Sequence, residues 1–306
     1  MNDQFTIIAK ELSKSYEKVK ALDAVTFEVR KNEIFGFIGP DGAGKTTLFR
    51  ILATLIIADE GSAYINGYDI IKNYRKIRNN IGYMPGRFSL YQDLSVEENL
   101  SFFATIFGTT IAENYDLIKG IYSHIEPFKK RKTRALSGGM KQKLALSCAL
   151  IHKPKVLILD EPTTGIDAVS RKEFWEMLKE LQQKEITIII STSYMDEAGL
   201  CDRVALIQEG KIMSIDYPEN IINQFDKELF AIRAGNMYRL ILDLRKYPHA
   251  DNVYLFGQFV HYTDKTEKVT EKNIYHYLKN LGHQNIEINR VKASIEDCFM
   301  LLMGLQ

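Results

Sequence analysis

No apolar run in this chain approaches the roughly 20 residues needed to span a bilayer, so nothing in it reads as a membrane segment. Cysteine is scarce. Cys148, Cys201 and Cys298 are scattered without disulfide or metal-ligand spacing, which excludes a stapled scaffold or a zinc module and suggests a reducing compartment. Neither sign of charge dominates: lysine plus arginine number 40 against 39 acids, which removes the global case for nucleic acid or a strongly acidic partner. Met1–Lys10 lacks the basic-then-apolar architecture of a secretory leader. These absences predict a soluble, intracellular chain, and its 306 residues suit one large domain plus a small one.

What is present is a complete phosphate-binding loop. Ile34-Phe35-Gly36-Phe37-Ile38 reads as a buried parallel strand that empties into Gly39-Pro40-Asp41-Gly42-Ala43-Gly44-Lys45-Thr46, followed by Thr47. From Thr46 to Leu55, the spacing of Leu48, Ile51, Leu52 and Leu55 predicts a helix. The glycines let successive N–H groups turn toward phosphate oxygens, and the helix N-terminus behind them adds partial positive charge. Lys45 would reach the terminal phosphates and the Thr46 hydroxyl would ligate magnesium. Further on, Val156-Leu157-Ile158-Leu159 runs as an apolar strand into Asp160-Glu161. Carboxylates at a strand's carboxyl end suit magnesium binding by Asp160 and general-base activation of water by Glu161. The pattern therefore calls for ATP and Mg2+.

Between these two features lies Leu136-Ser137-Gly138-Gly139-Met140. Ser137 is a good N-cap, and a serine hydroxyl with the glycine N–H groups at a helix start makes an anion site. Leu144, Leu146 and Leu150 are spaced for burial in the helix that follows. Taken alone, Ser-Gly-Gly is an ordinary cap. Placed between a phosphate loop and a paired-acid strand, it resembles the signature of the ABC ATPase family. The resemblance covers roughly residues 4–215. It implies that Tyr16 stacks on adenine, that Thr164-Gly165-Ile166-Asp167 is a dimer-contact loop, and that Ser137, Gly138 and Gly139 complete the site of a second ATPase subunit. The fold it implies is an α/β P-loop NTPase with ABC-type antiparallel β and helical subdomains.

Two positions depart from the family pattern. After Tyr83-Met84-Pro85 the family places a glutamine that senses magnesium and the attacking water. Here Gly86 stands, with Arg87 next. After Ile186–Ile190 the family's Ser-Thr-His reads Ser191-Thr192-Ser193, so a serine replaces the switch histidine that contacts the terminal phosphate. None of the six histidines lies in sequence where it could obviously substitute. Losing such a positioning group costs on the order of a hundredfold in rate, about 3 kcal/mol. With Glu161 retained, the expectation is slow hydrolysis at this chain's own loop.

The ATPase domain is expected over residues 1–223, with Phe5–Ala9 and Val25–Val29 as antiparallel strands and Asn66-Gly67 as a tight hairpin turn. Residues 91–149 are expected to be mainly helical, with the capping-box pattern Ser95-Val96-Glu97-Glu98 opening one helix. The family uses this helical subdomain to grip a membrane subunit, and residues 86–96 should join the lobes and move with phosphate. The basic run Lys129–Arg134 reads as a solvated turn. Residues 224–306 carry the order β-α-β-β-α-β-α, a small ferredoxin-like α+β module with no phosphate loop or metal spacing, best read as a dimerisation or regulatory appendage.

The closing Ser294-Ile295-Glu296-Asp297-Cys298-Phe299 and the segment Tyr194–Ala198 with Cys201-Asp202-Arg203 resemble ATP-binding subunits of drug-resistance-type exporters. The resemblance implies a hydrolysing subunit on the inner face of the cell membrane, held there by a separate permease and paired with a like or unlike ATPase. No nucleic acid is expected. A non-transport ABC ATPase acting on ribosomes or DNA, or a largely non-catalytic ATP switch, are the alternatives. The first usually shows tandem domains, coiled-coil insertions or zinc cysteines, none of which occurs in this sequence.

Overall fold

The computed structural model describes residues 4–86, 90–266 and 269–304. In chain order, β1 (Phe5–Tyr16) and β2 (Val19–Arg30) form an antiparallel hairpin, and β3 (Ile34–Ile38) leads through the loop to α1 (Lys45–Leu52). Next come β4 (Glu60–Ile65), β5 (Tyr68–Asp69), α2 (Tyr74–Arg78) and β6 (Ile81–Met84). A helical stretch follows with α3 (Val96–Ile106), α4 (Ile111–Tyr122) and α5 (Gly138–Leu150). Then β7 (Val156–Asp160), α6 (Ala168–Gln183), β8 (Thr187–Thr192), β9 (Arg203–Gln208) and β10 (Lys211–Asp216) complete the larger unit.

The strands make a four-stranded antiparallel sheet, β2-β1-β4-β5, and a six-stranded sheet, β10-β9-β3-β8-β7-β6. In the second sheet β9, β3, β8, β7 and β6 run parallel, and β10 closes one edge antiparallel. β3, β7 and all of β8 are buried along their length, which is why they read as continuous apolar runs. Phe27, Phe37 and Phe49 join the layers: Phe37 meets Phe27 edge-on at 4.9 Å and Phe49 edge-on at 5.6 Å. The loop after β3 and the acids at the end of β7 thus emerge at the same, carboxyl end of one sheet, where open α/β sheets bind ligands.

β1 and β2 pair as expected, Ile7 with Val29 and Ala9 with Phe27, but run several residues longer. Register shifts between Ala9 and Leu12 break the alternation in sequence, while Leu12 and Leu22 remain fully buried and continue the apolar face. α1 ends at Leu52 rather than Leu55, because Thr54 takes a left-handed φ of 59° and turns the chain out, leaving Leu55 54% exposed. Asn66 and Gly67 make the hairpin turn, both at positive φ. The capping box forms: Ser95 Oγ accepts from Glu98 N at 3.2 Å while Ser95 N donates to Glu98 Oε2 at 2.7 Å. The basic run is spent locally, with Arg134 on Asp93, Lys129 near Glu97 and Arg131 over the Phe128 ring. In α5, Leu144, Leu146 and Leu150 are fully buried.

The chain divides into two compact units after Pro218, within α7 (Pro218–Asn223). The second contains β11 (Leu229–Arg233), α8 (Met237–Arg245), β12 (Ala250–Phe256), β13 (Phe259–Asp264), α9 (Glu271–Asn280), β14 (Glu287–Val291) and α10 (Ile295–Gly304). Its sheet order is β12-β13-β11-β14, antiparallel throughout, the split β-α-β pattern of ferredoxin-like folds. Phe230, Ile232, Val260 and Tyr262 face Leu240, Leu244, Ile274 and Leu278 in one core. The alternate face meets α10, where the buried Asp297 carboxylate accepts from His261 Nδ1 at 2.5 Å, Tyr254 Oη at 2.6 Å, and Ser294 N and Oγ at 2.7 and 2.6 Å.

Candidate nucleotide site

The loop's shape follows from its glycines. A Cβ on Gly39 would fall 2.1 Å from Ile207 O, so only glycine lets the chain leave β3 beside β9. Gly44 sits at φ 100° as the cap of α1, and a Cβ there would fall 2.3 Å from Ala21 O. With no side-chain cap, the first N–H groups of α1 are left to an anion. Lys45 is nearly inaccessible. Its Nζ donates to Gly39 O at 2.7 Å and Pro40 O at 3.0 Å, and stands 3.2 Å from Glu161 Oε1. A buried ammonium needs such partners, and they hold its charge beside the loop.

The acids are tied to the same point. Asp160 Oδ1 accepts from Thr46 Oγ1 at 3.2 Å and from Ser191 Oγ at 2.6 Å. Glu161 N donates to Ser191 O at 3.1 Å and to Ser191 Oγ at 3.0 Å. Glu161 itself adopts a left-handed φ of 47°, an uncommon conformation for a non-glycine residue that costs on the order of 1–3 kcal/mol and turns its carboxylate toward Lys45. Asp41–Thr47, Asp160, Glu161 and Gly86 line one cleft of about 840 Å³. The hard-oxygen pair of Thr46 hydroxyl and Asp160 carboxylate fits Mg2+.

Several residues that line the cleft or bond to its lining are not legible as site residues from the motifs. Ser191 is one; it is reached through the register that pairs it with Asp160. Arg50 and Tyr83 are others, and burial, reinforced by Asp160, pushes the Tyr83 phenol up to about 12. Tyr16 stands at the turn end of β1, largely exposed and near Lys14 Nζ; it is not among the residues lining the cleft. Val19, Lys20 and Ala21, from the returning strand of the same hairpin, are. The chain reverses at Glu17, φ 52°, which carries the second strand past the loop.

The signature lies apart from the cleft. Ser137 caps α5, accepting from Met140 N at 3.3 Å. Gly138 and Gly139 lie against the 165–170 segment: a Cβ on Gly139 would fall 2.6 Å from Ser170 Oγ, and one on Gly138 3.4 Å from Gly165 O. Neither Ser137 nor the glycines line this chain's own cleft. Asp167, in the expected dimer-contact loop, caps α6 through Ser170 N. Gly86 abuts the acids, its would-be Cβ 3.2 Å from Asp160 O and 3.7 Å from Asp160 Oδ2. Ser193 follows β8, half-buried. Arg87 lies outside the described residues.

Comparison with known proteins places this geometry. The family described as ABC transporter matches residues 22–164. A Nod factor export ATP-binding protein I from Burkholderia thailandensis is 33% identical over 300 residues, covering 96% of this chain and 96% of that protein. The chain belongs to the ATP-binding proteins of ABC transporters. As an ABC ATPase it binds ATP, and hydrolysis coupled to transport is the family's general activity. A probable multidrug ABC transporter ATP-binding protein, YbhF of Escherichia coli, is 40% identical over 225 residues; the match covers 70% of this chain but only 38% of YbhF. Among solved structures, cbiO1 from Clostridium perfringens, described as part of the ABC transporter complex cbiONQ, superposes with a TM-score of 0.65 at 28% identity, covering 72% of this ABC ATPase and 92% of that chain. Among its described residues, no helix of this ABC ATPase is long and apolar enough to cross a membrane.

Proposed function

We propose that this ABC ATPase powers a separate membrane permease of the efflux type, as the slower catalytic half of an asymmetric pair. The observation that carries the asymmetry is the lack of a side chain at Gly86, beside the acids. Gly86 presents no side chain to Asp160, and Ser193 stands in place of the switch histidine. The signature donors, in contrast, are intact and absent from the lining of this chain's own cleft, as a group used by a second subunit would be.

The proposed chemistry uses the residues as they stand. The loop N–H groups and Lys45 bind the phosphates of ATP, and phosphate oxygens take over the partnership that Lys45 now shares with Glu161. Glu161 then accepts a proton from a water that attacks the terminal phosphorus, while the bond to the leaving ADP oxygen breaks. Thr46 and Asp160 would hold Mg2+, which when bound supplies charge neutralisation on the phosphates. Ser137, Gly138 and Gly139 would contact nucleotide held by the partner's loop, and Tyr16 or the facing Val19 would border the adenine. The domain reading belongs to the same proposal: an ATPase over 1–223 and an accessory module over 224–306.

The permease would seat in an apolar groove of about 410 Å³ between the β6 edge and the helical stretch, lined by Leu55, Met84, Leu90, Phe103, Ile106 and Cys148 among others. That seating would place the ATPase on the inner face of the cell membrane. Co-expression with a candidate efflux-type permease tests this: the permease should co-purify, and Ile106→Glu should release it. Co-purification of a homodimer with ribosomes and no permease would overturn the reading. Ser137→Arg tests the asymmetry, since it should lower turnover at an intact partner's site more than at this chain's own.

A further inference from the structure

The surface running from Leu55 to Arg78 contributes no residue to the lining of the nucleotide cleft, yet its composition is distinctive. Leu55 and Ile57 are exposed on either side of Ile56, which packs on the core. Beside them the segment Tyr68–Asn80 exposes Tyr68, Ile71 and Tyr74, together with Lys72, Arg75, Lys76 and Arg78. Within Tyr68–Asn80 four cations stand against one acid; of the two acids earlier in the surface, Asp59 and Glu60, Asp59 is paired with Lys14. The acid within the segment, Asp69, is occupied within its own turn, accepting from Ile71 N and Lys72 N at 2.9 Å each.

Cations and rings are interleaved rather than segregated. Lys76 Nζ lies 5.2 Å from the Tyr68 ring centre, and the Arg75 and Arg78 guanidiniums lie 5.8 and 5.1 Å from that of Tyr74. Arg78 also ties the segment to the end of α1, donating through Nε to Thr54 Oγ1 at 2.8 Å and through Nη2 to Thr54 O at 2.7 Å. Leu55 and Arg78 line the apolar groove as well, so patch and groove form one continuous surface.

We infer that this patch contacts the headgroup region of an anionic lipid bilayer. The inference rests on the permease reading in one respect: a groove that seats a membrane protein faces the membrane, and so does the surface continuous with it. The chemistry is independent of that reading. Tyrosines and aliphatic tips bury in the interface, while lysines and arginines extend to anionic headgroups. Each such cation contributes a favourable interaction that fades within a Debye length.

The experiment is co-sedimentation of the purified full chain with two kinds of vesicle, phosphatidylcholine alone and phosphatidylcholine mixed with phosphatidylglycerol. Binding should favour the anionic vesicles and fall with added salt. Lys72→Glu with Lys76→Glu, both exposed side chains, should weaken partitioning roughly tenfold or more, given the contribution of each surface cation. Tyr74→Ala should weaken it by a smaller factor that persists at high salt. An unchanged melting temperature in each variant shows that folding is retained. Equal binding to both vesicles, or wild-type binding by the double variant, would overturn the inference. So would a double variant that loses the permease yet keeps its vesicle binding, because the patch would then be a protein contact. Charge-dependent vesicle binding supports the inference even if no permease co-purifies, so the two readings fail separately.

Discussion

The two sides of the nucleotide cleft are built to different standards. On the phosphate side, every group is constrained: Gly39 and Gly44 by the backbone of neighbouring strands, Lys45 by two carbonyls and Glu161, Asp160 by Thr46 and Ser191. Where the proposed mechanism puts the attacking water, Gly86 has no side chain, and Ser193, which is not among the residues lining the cleft, is short and uncharged at neutral pH. Binding a phosphate and positioning a water are separable tasks, and this molecule retains the parts for the first more fully than those for the second. Preorganised donors aimed at the transition state usually supply the largest single share of catalysis. A cleft lacking them should bind ATP normally and turn it over slowly.

The comparison breaks most decisively at Lys45. Lys45→Ala removes the cation that meets Glu161 and would meet phosphate, and nucleotide affinity should fall by about a hundredfold or more. Titration with a fluorescent ATP analogue reads this out, and near-normal affinity would mean that the phosphate side is not the stronger half. Next in size is repair of the weaker side. Gly86→Gln combined with Ser193→His should raise phosphate release by roughly a hundredfold, the inverse of the loss those groups commonly cause. A flat rate would show that neither position limits turnover. Glu161→Gln should then cut the remaining hydrolysis by about tenfold or more while leaving ATP bound, since proton acceptance contributes at least that much. An unchanged rate would point to the switch without catalysis.

The smallest effect lies outside the cleft and serves as its control. Burial alone would raise the Asp297 carboxyl, but hydrogen bonds from His261, Ser294 and Tyr254 outweigh it and hold the group at about 2. A depressed carboxyl stabilises the fold above its unfolded value and loses that contribution as pH falls. The second unit should therefore lose about 2 kcal/mol between roughly pH 4 and pH 2. Asp297→Asn should remove this acid dependence, visible in the melting temperature against pH, and leave ATP affinity at neutral pH unaltered. A shift in that affinity would tie the accessory unit to the cleft.

Much of this was legible in the residues. The strand–loop–helix around Gly39–Thr46 depends on local steric and dipole rules that a short sequence window contains. The β-α-β-β-α-β order of the second unit follows from periodicity and turn residues in the same way. Ser191 was harder to see, because it joins Asp160 through a pairing between strands 31 residues apart. The placement of Tyr16 outside the cleft depends on where a twisted hairpin turns, which its motif does not encode.

By itself, the sequence determined the class of chemistry: a phosphate loop, paired acids, a signature, and the substitutions at 86 and 193. Those are properties of residue identity and short spacing. Only the tertiary structure decided which groups meet. It set Lys45 on Glu161, Ser191 on Asp160, and Gly86 against Asp160, and left Ser137–Gly139 out of the cleft lining. The physical reason is that these contacts depend on strand order and register, and long-range pairing is not written in any local window.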